Sequence, residues 1–193
     1  MKKKRLGISG DAGSFSEEAG LIYAQRVDMK PTLIYLTDME GVLSALNAKE
    51  IDIGIFPVVN SRGGLVKMAF EAMGKYLFKM IDEVWLDVRQ SLLVQVGTPS
   101  TQIKKIVSHP QALVQCERHL QKMFPKAQLV EWQDTAKAAS DLSIGKLTKD
   151  CAVIAPQRAA KIYGLAVLAK DIQDNCPNLT TFIVVQNVFF HST

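Results

Sequence analysis

Short apolar runs alternate with segments of helical periodicity along almost the whole chain of 193 residues. Residues 6–9, 32–36 and 51–56 are runs of the kind that form strands, and helical segments with apolar side chains at every third or fourth position lie between and after them. One such helix is predicted to begin at a capping box, Thr37-Asp38-Met39-Glu40. Others are predicted roughly over residues 65–76 and over residues 157–163, and Asp134 and Thr135 are candidate caps of the helix that follows them. This alternation predicts an α/β fold, in which helices cover the faces of a sheet.

The stretch "EVWLDVRQSLLVQV", residues 83–96, is long, rich in β-forming residues and partly alternating. After a turn at residues 97–100 the alternation restarts, with a helix predicted over residues 110–123. We therefore predict two lobes joined by one long crossing strand, lobe 1 from residues 1–85 plus 181–193 and lobe 2 from residues 86–180. Because clefts between lobes commonly bind small molecules, we expect the ligand there.

The composition excludes several classes of protein. An apolar content of 48% and a charged content of 22% are typical of a folded globular chain, and no apolar stretch approaches the ~20 residues that cross a bilayer. The net charge of +4 comes largely from the run Lys2 to Arg5, without the interleaved aromatic residues of a nucleic-acid surface. Cys116, Cys151 and Cys176 lack metal-binding spacing. We expect reduced thiols in a cytoplasmic protein, without nucleic-acid or membrane partners.

Two glycine-containing segments follow predicted strands. In "GDAGSFSEEA", residues 10–19, Gly10 and Gly13 permit a tight turn before a helix, and Ser14 is a candidate N-cap. The N-terminus of that helix attracts carboxylate or phosphate groups. In "PVVNSRGG", residues 57–64, Asn60 and Ser61 offer hydrogen bonds beside two glycines that admit a ligand closely. Each segment taken alone is also compatible with a purely structural turn.

Two further polar segments lie at strand ends in the second half of the chain. "SHPQALVQC", residues 108–116, contains His109, whose charge changes near neutral pH. A histidine before proline at a helix start is more often a capping residue than a general base. In "IQDNCPNLTTF", residues 172–182, polar side chains crowd the entry to the last predicted strand.

These segments, with "DTAKAA" and "YGLAVLAKDIQD", resemble the prephenate dehydratase family in order and spacing, from about Arg5 to Val185. The resemblance implies two α/β lobes like those of a type II periplasmic binding protein, with the active site in the cleft between them. The family converts prephenate to phenylpyruvate in L-phenylalanine biosynthesis, and plant relatives convert arogenate to phenylalanine. Both reactions release carbon dioxide and water and make the ring aromatic. No metal or organic cofactor is implied.

The resemblance also implies roles for individual residues. Thr180 is implied to be catalytic. The residues implied to bind the substrate, a prephenate-like dicarboxylate, are Asn60, Ser61, Gly13, Ser14, Phe15, Ser108, Gln111, Thr181 and Phe182.

The sequence departs from the family pattern at two positions. Where the family's second motif reads Pro-x-Glu-Asn-Ser, this chain has Val59 at the glutamate position. Where the family's last motif reads Asn-x-Thr-Arg-Phe, this chain has Thr181 at the arginine position. If the two family residues pair with each other, losing both leaves no unpaired charge. If the family's arginine binds a substrate carboxylate through two hydrogen bonds, Thr181 cannot replace it, and the affinity for the substrate or the choice of substrate changes. If the family's glutamate takes part in proton transfer, its replacement by Val59 affects the dehydration step. Arg62 is an alternative source of positive charge, although a loop arginine is more often solvated.

The chain ends soon after the last predicted strand, without the C-terminal ACT domain that senses phenylalanine in typical members. Feedback control by phenylalanine is then absent, supplied by another chain, or located in another part of a longer protein. A homo-oligomer, most simply a dimer, is expected, and Phe189 and Phe190 suit packing on a partner or on their own core.

The favoured function is prephenate dehydratase. The alternatives are a relative acting on arogenate, a prephenate decarboxylase that does not aromatise the ring, and a small-anion binding or sensing protein without turnover.

Overall fold

The structure is a computed structural model that describes residues 3–188. Its elements are β1 (Arg5–Ser9), α1 (Phe15–Arg26), β2 (Thr32–Leu36), α2 (Met39–Asn47), β3 (Ile53–Asn60), β4 (Gly64–Leu65), α3 (Lys67–Met73), β5 (Lys79–Asp87), β6 (Gln90–Val94), β7 (Lys105–Ser108), α4 (Pro110–Gln115), α5 (Glu117–Met123), β8 (Gln128–Glu131), α6 (Thr135–Ser143), β9 (Cys151–Pro156), α7 (Gln157–Tyr163), β10 (Ala166–Ala169) and β11 (Leu179–Gln186). The predicted Phe189 and Phe190 contacts lie outside the described residues.

The chain divides into two compact units, each built on one sheet. Unit 1 comprises residues 1–11, 15–87 and 179–193, and unit 2 comprises residues 12–14 and 88–178. Thr180, counted with lobe 2 in the sequence prediction, belongs to the sheet of unit 1 because β11 pairs along its whole length with β5. The structure therefore has the mixed α/β, two-sheet architecture that the alternation predicted.

The sheet of unit 1 has the strand order β2-β1-β3-β11-β5, with β4 attached to β3. Strands β1, β2 and β3 are parallel, whereas β11 is antiparallel to both of its neighbours. Apolar residues cover both faces of this sheet. Helices α2 and α3 bury one face around Phe56 and Ile183, and α1 buries the other around Ile55 and Phe182.

The sheet of unit 2 has the strand order β10-β6-β9-β7-β8. Strand β7 is parallel to β8 and β9, and β6 is antiparallel to β9 and β10. All six residues of the central strand β9 are buried, which is the pattern of a strand covered on both faces. The ends of β7 and β8 lead directly into α4 and, after a short loop, α6.

The predicted crossing strand over residues 83–96 is wrong as a single strand. The chain forms β5 in unit 1 and β6 in unit 2, with Val88 and Arg89 between them. Val88 N donates to Asn178 O at 2.8 Å, and Gln90 N donates to Gln173 Oε1 at 2.9 Å. At this junction the backbone N–H groups thus donate to the loop before β11, and β5 and β6 do not form one continuous strand.

Three helix predictions also need correction. The helix predicted over residues 110–123 breaks at Cys116 into α4 and α5, since Asp174 caps the N-terminus of α5 through the backbone N–H groups of Arg118 and His119, at 2.9 and 3.0 Å. The helix expected from residue 65 begins at residue 67, after β4. The N-cap of α2 is Asp38, which accepts from Gly41 N at 2.8 Å, rather than the Thr37 of a capping box. Within residues 3–188, no helix is long and apolar enough to cross a membrane.

Candidate active site

A buried Asn–Thr pair connects two central strands of unit 1. Asn60 Nδ2 donates to Thr180 Oγ1 at 2.8 Å, although the two residues are 120 positions apart in the chain. Asn60 is 5% exposed and Thr180 is 7% exposed. Because the amide N–H occupies an acceptor site of the hydroxyl oxygen, the hydroxyl hydrogen of Thr180 is left to point to another group. The pair therefore presents Thr180 as a hydrogen-bond donor.

A β-bulge in β3 produces this pairing. Thr181 lies opposite Val59, but Phe182 lies opposite Pro57, so β3 contains one extra residue, Val58, between these pairs. If Val58 instead paired regularly with Thr181, Asn60 would lie opposite Leu179, and its side chain would lie on the other face of the sheet from that of Thr180. Bulges often re-aim side chains next to active sites, and this bulge brings Asn60 and Thr180 to the same face.

The turn after β3 is held by the side chains of its own motif. Asn60 Oδ1 accepts from the backbone N–H groups of Arg62 and Gly63, at 2.9 and 2.7 Å. Ser61 N donates to Leu179 O at 2.7 Å, and Leu179 N donates to Ser61 Oγ at 3.0 Å. Asn60 and Ser61 thus fix the turn to the start of β11, directly beside Thr180. Rigid support of this kind is what a positioned catalytic group requires.

The two positions that depart from the family pattern meet each other in the sheet. Val59 and Thr181 are directly opposite residues of β3 and β11, and both are half-buried. Directly opposite side chains in antiparallel strands have Cβ atoms roughly 4.5–5.5 Å apart. This geometry favours the first of the three interpretations, in which the family's glutamate and arginine pair with each other and both are replaced here by uncharged residues.

Other predicted substrate-binding residues have identifiable structural roles. Phe182 is 2% exposed and lies in the core of unit 1, against which Phe15 also packs. Gly13 has φ of +83°, and a Cβ there would lie 3.1 Å from the Cα of Ala159, so both the backbone conformation and the packing require glycine. Ser14, at the next position, is 3% exposed.

In unit 2, Ser108 and His109 stand between β7 and α4. Ser108 is fully buried, and its Oγ donates to Ile154 O at 2.7 Å. His109 Nδ1 accepts from Gln111 N at 3.2 Å, so the structure confirms the capping role that was the commoner alternative for this histidine. Gln111 is half-buried in the first turn of α4.

Sequence reasoning missed a cluster of amide side chains in unit 2, which we call the amide cluster: Gln90, Gln115, Gln173 and Asn178. Gln115 Oε1 accepts from Asn178 Nδ2 at 3.0 Å and from Gln90 Nε2 at 3.4 Å. Gln90, Gln173 and Asn178 are buried. The available sequence signal was a polar residue at the start of the apolar strand "QSLLV", since a buried glutamine needs partners.

A second polar feature of unit 2 surrounds Asp141 on α6. This residue is 1% exposed and accepts from Lys137 Nζ at 2.6 Å, Trp132 Nε1 at 3.0 Å and Lys146 Nζ at 3.3 Å. Burial alone would raise the pKa of Asp141, but the hydrogen bonds from Lys137, Trp132 and Lys146 outweigh it and hold the pKa below its ordinary value. These residues, with Pro110, line an open groove of about 390 Å³. The carboxylate joins α6 to the loops around it.

The chain thus consists of two mixed α/β units with one sheet each, and unit 1 contains a buried hydroxyl–amide pair at a strand bulge. The chain has this fold in common with a periplasmic substrate-binding protein of an ABC transporter from Coxiella burnetii, which is 20% identical, has a TM-score of 0.53, and is matched over 95% of this chain and 84% of that one. At this identity the likeness concerns the fold alone.

The family model for prephenate dehydratase matches residues 6–188, and the chain belongs to that family. It is 33% identical to arogenate dehydratase/prephenate dehydratase 2, chloroplastic, of Arabidopsis thaliana, over 94% of this chain and 46% of that protein. A prephenate dehydratase structure from Arthrobacter aurescens, in complex with L-Phe, is 28% identical with a TM-score of 0.86, over 98% of this chain and 63% of that one. The chain thus spans less than half the length of the curated relatives it matches.

Proposed function

We propose that the chain catalyses the decarboxylation and dehydration of prephenate to phenylpyruvate, as a lyase of L-phenylalanine biosynthesis. Arogenate, whose product would be phenylalanine, is the alternative substrate, because relatives of similar identity are named arogenate dehydratases. The observation that carries the proposal is the buried hydrogen bond from Asn60 Nδ2 to Thr180 Oγ1. It orients a hydroxyl donor within a rigid strand pair.

The reaction needs such a donor at one point. The bond from the ring to its carboxylate breaks and releases carbon dioxide, and the electron pair enters the ring. The ring hydroxyl on the opposite carbon leaves as water after taking up a proton that comes ultimately from the solvent, which completes the aromatic ring. Negative charge develops on the leaving oxygen, so a hydrogen bond from Thr180 Oγ1 lowers the barrier to this step. Because aromatisation supplies driving force, orientation and exclusion of water are the main remaining tasks of the protein.

The proposal does not require a charged residue at position 59 or 181. Val59 and Thr181 lie opposite each other, so their uncharged side chains leave no isolated charge in a half-buried position. Thr180 and Asn60, opposite each other on the other face, keep their hydrogen bond in the presence of these replacements.

The test is turnover of fresh prephenate and of arogenate near neutral pH, with phenylpyruvate followed by its ultraviolet absorbance in alkali and phenylalanine by chromatography. We expect product above the spontaneous background, and a loss of roughly 10²–10⁴-fold in kcat for Thr180→Val, which removes only the hydroxyl. Thr180→Ser should retain most activity. Thr32→Val is the matched control, since it removes a hydroxyl at an exposed position of another strand in the same sheet. Equal activity of wild type and Thr180→Val would overturn the assignment.

A binding protein without turnover is the second candidate, and the fold that the chain has in common with a substrate-binding protein favours it. It predicts saturable binding of prephenate by calorimetry with no product, and equal binding by wild type and Thr180→Val. A prephenate decarboxylase would instead release carbon dioxide without forming phenylpyruvate.

The assembly and the compartment belong to the same proposal. We propose a homo-oligomer, most simply a dimer, which light scattering on the purified chain tests directly. The cytoplasmic location expected from the cysteines stays a prediction, and the Arabidopsis relative is named chloroplastic.

A further inference from the structure

One face of the sheet of unit 1 has a row of four uncharged side chains that crosses four neighbouring strands. Leu65 of β4 lies opposite Val59 of β3, and Val59 lies opposite Thr181 of β11. Thr181 in turn lies opposite Trp85 of β5. Directly opposite side chains of antiparallel strands share one face. We call these four residues the uncharged row, and at about 4.8 Å per strand it is roughly 14 Å long.

Both ends of the uncharged row are open to solvent. Leu65 is 68% exposed and Trp85 is 60% exposed, whereas Val59 and Thr181 between them are half-buried. The exposed surface of the row amounts to roughly 300 Å². This is the size at which an apolar patch on a monomer is often functional, and charged residues around such a patch indicate a protein-interaction surface.

The surroundings of the row differ in charge from one end to the other. At the β4 end, which we call the basic end, Arg62 and Lys67 are exposed. Lys67 Nζ lies 3.5 Å from Glu71 Oε1, but such an exposed pair contributes little. At the β5 end, which we call the acidic end, Glu83 Oε1 accepts from Trp85 Nε1 at 3.0 Å. This hydrogen bond holds the carboxylate beside the indole, on the face of the row.

A surface with this arrangement is complementary to a second copy of itself. A two-fold axis in the plane of the interface, parallel to the strands and midway between Val59 and Thr181, places the basic end of one copy over the acidic end of the other. Leu65 then packs on the partner's Trp85. In a two-fold interface each such contact occurs twice.

We propose that two copies of the chain form a homodimer through the uncharged row, related by this axis. The inference rests on the homo-oligomer of the proposed function, for which it names the surface, but not on turnover. Val59 and Thr181 lie at the axis, where a charged pair would have to be desolvated, so uncharged residues at these two positions suit the interface. The row forms the apolar core, and the charged ends belong to the polar rim that brings a standard interface to roughly 800 Å² per partner.

The experiment uses two single variants that should each lose the dimer alone and regain it when mixed. Leu65→Glu places a carboxylate against the partner's Trp85 and the acidic end. Trp85→Arg places a cation against the partner's Leu65 and the basic end. In a mixture of the two chains, the new glutamate meets the new arginine at one contact, and the native Leu65 meets the native Trp85 at the other.

The oligomeric state is measured by sedimentation velocity over a range of concentrations, at low and high salt, and circular dichroism checks that each variant is folded. The matched control is Ile22→Glu. Ile22 is 40% exposed on α1, which covers the opposite face of the same sheet.

We expect wild type and Ile22→Glu to be dimers that dissociate more readily at high salt. Each of the variants Leu65→Glu and Trp85→Arg should raise the Kd of the dimer roughly 10²–10³-fold, because its unpaired charge is buried twice. Their equimolar mixture should form a heterodimer with a Kd within about tenfold of wild type.

A wild type that stays monomeric would overturn the inference and leave the row to a partner of another kind. A dimer that persists in both single variants would overturn it as well, while leaving a homo-oligomer through another surface. Folded, monomeric single variants that do not associate when mixed would exclude the two-fold contact between positions 65 and 85. A dimeric wild type without turnover would contradict the proposed catalysis but support this inference.

Discussion

A charged pair introduced at positions 59 and 181 tests the strand register that the candidate site depends on. Val59 and Thr181 are directly opposite each other only because Val58 is an extra residue in β3. If that register is correct, Val59→Glu and Thr181→Arg place opposite charges within contact distance. In the unbulged register the two side chains would not be opposite.

The magnitudes follow from burial. Val59 is half-buried and packs against the core of unit 1. Val59→Glu therefore loses apolar burial and partly desolvates a charge, a cost of roughly 2–3 kcal/mol in the free energy of unfolding. Thr181→Arg, also in a half-buried position, should cost about 1 kcal/mol, the typical effect of a single substitution. The double variant should recover about 1–1.5 kcal/mol of the summed cost, because a half-buried opposite pair is stronger than an exposed one.

Urea unfolding of wild type, both single variants and the double variant completes the cycle, at low and high salt. The like-charge control, Val59→Glu with Thr181→Glu, should be less stable than the sum of its two single variants. A double Val59→Glu/Thr181→Arg variant whose cost equals the sum of the singles within about 0.3–0.5 kcal/mol would refute the pairing, and with it the explanation for the loss of both family charges.

Two further predictions concern stability. Asp141→Asn should lower the free energy of unfolding by about 2 kcal/mol at pH 7. The folded-state pKa of Asp141 is lowered, so its carboxylate stabilises the fold above the ordinary carboxyl pKa of about 3.9, and this stabilisation is lost as pH falls through the folded-state pKa. Urea titrations from pH 7 to pH 3 should show the gap to wild type narrowing, and a gap independent of pH would contradict this. Gly54→Ala should cost roughly 1–3 kcal/mol, since its Cβ would lie 2.5 Å from Val42 Cγ1. Gly41→Ala is the control: its nearest neighbour would be 3.5 Å away, so its thermal midpoint should stay the same or rise, and equal losses in both variants would exclude overpacking as the cause.

Local features of the chain were predictable where local interactions decide them. The strand at residues 32–36 and the helix at residues 157–163 have the bounds that their apolar periodicity predicted. Asp134 caps α6 by accepting from Ala136 N and Lys137 N, as its position before the helix indicated. These patterns depend on residues only a few positions apart, which is why the sequence is sufficient for them.

Interactions between distant segments decided what the sequence left open. The break between α4 and α5 at Cys116 depends on Asp174, and the amide cluster depends on residues from three separate segments.

The amino-acid sequence by itself determined the α/β alternation, the family and the residues Asn60 and Thr180 as candidates. Only the tertiary structure decided that these two side chains meet, because one extra residue in β3 shifts the register by one and moves Asn60 to the face of Thr180. Strand periodicity specifies which residues share a face within one strand. The register between two strands is set by contacts across the sheet, which no local pattern in the sequence contains.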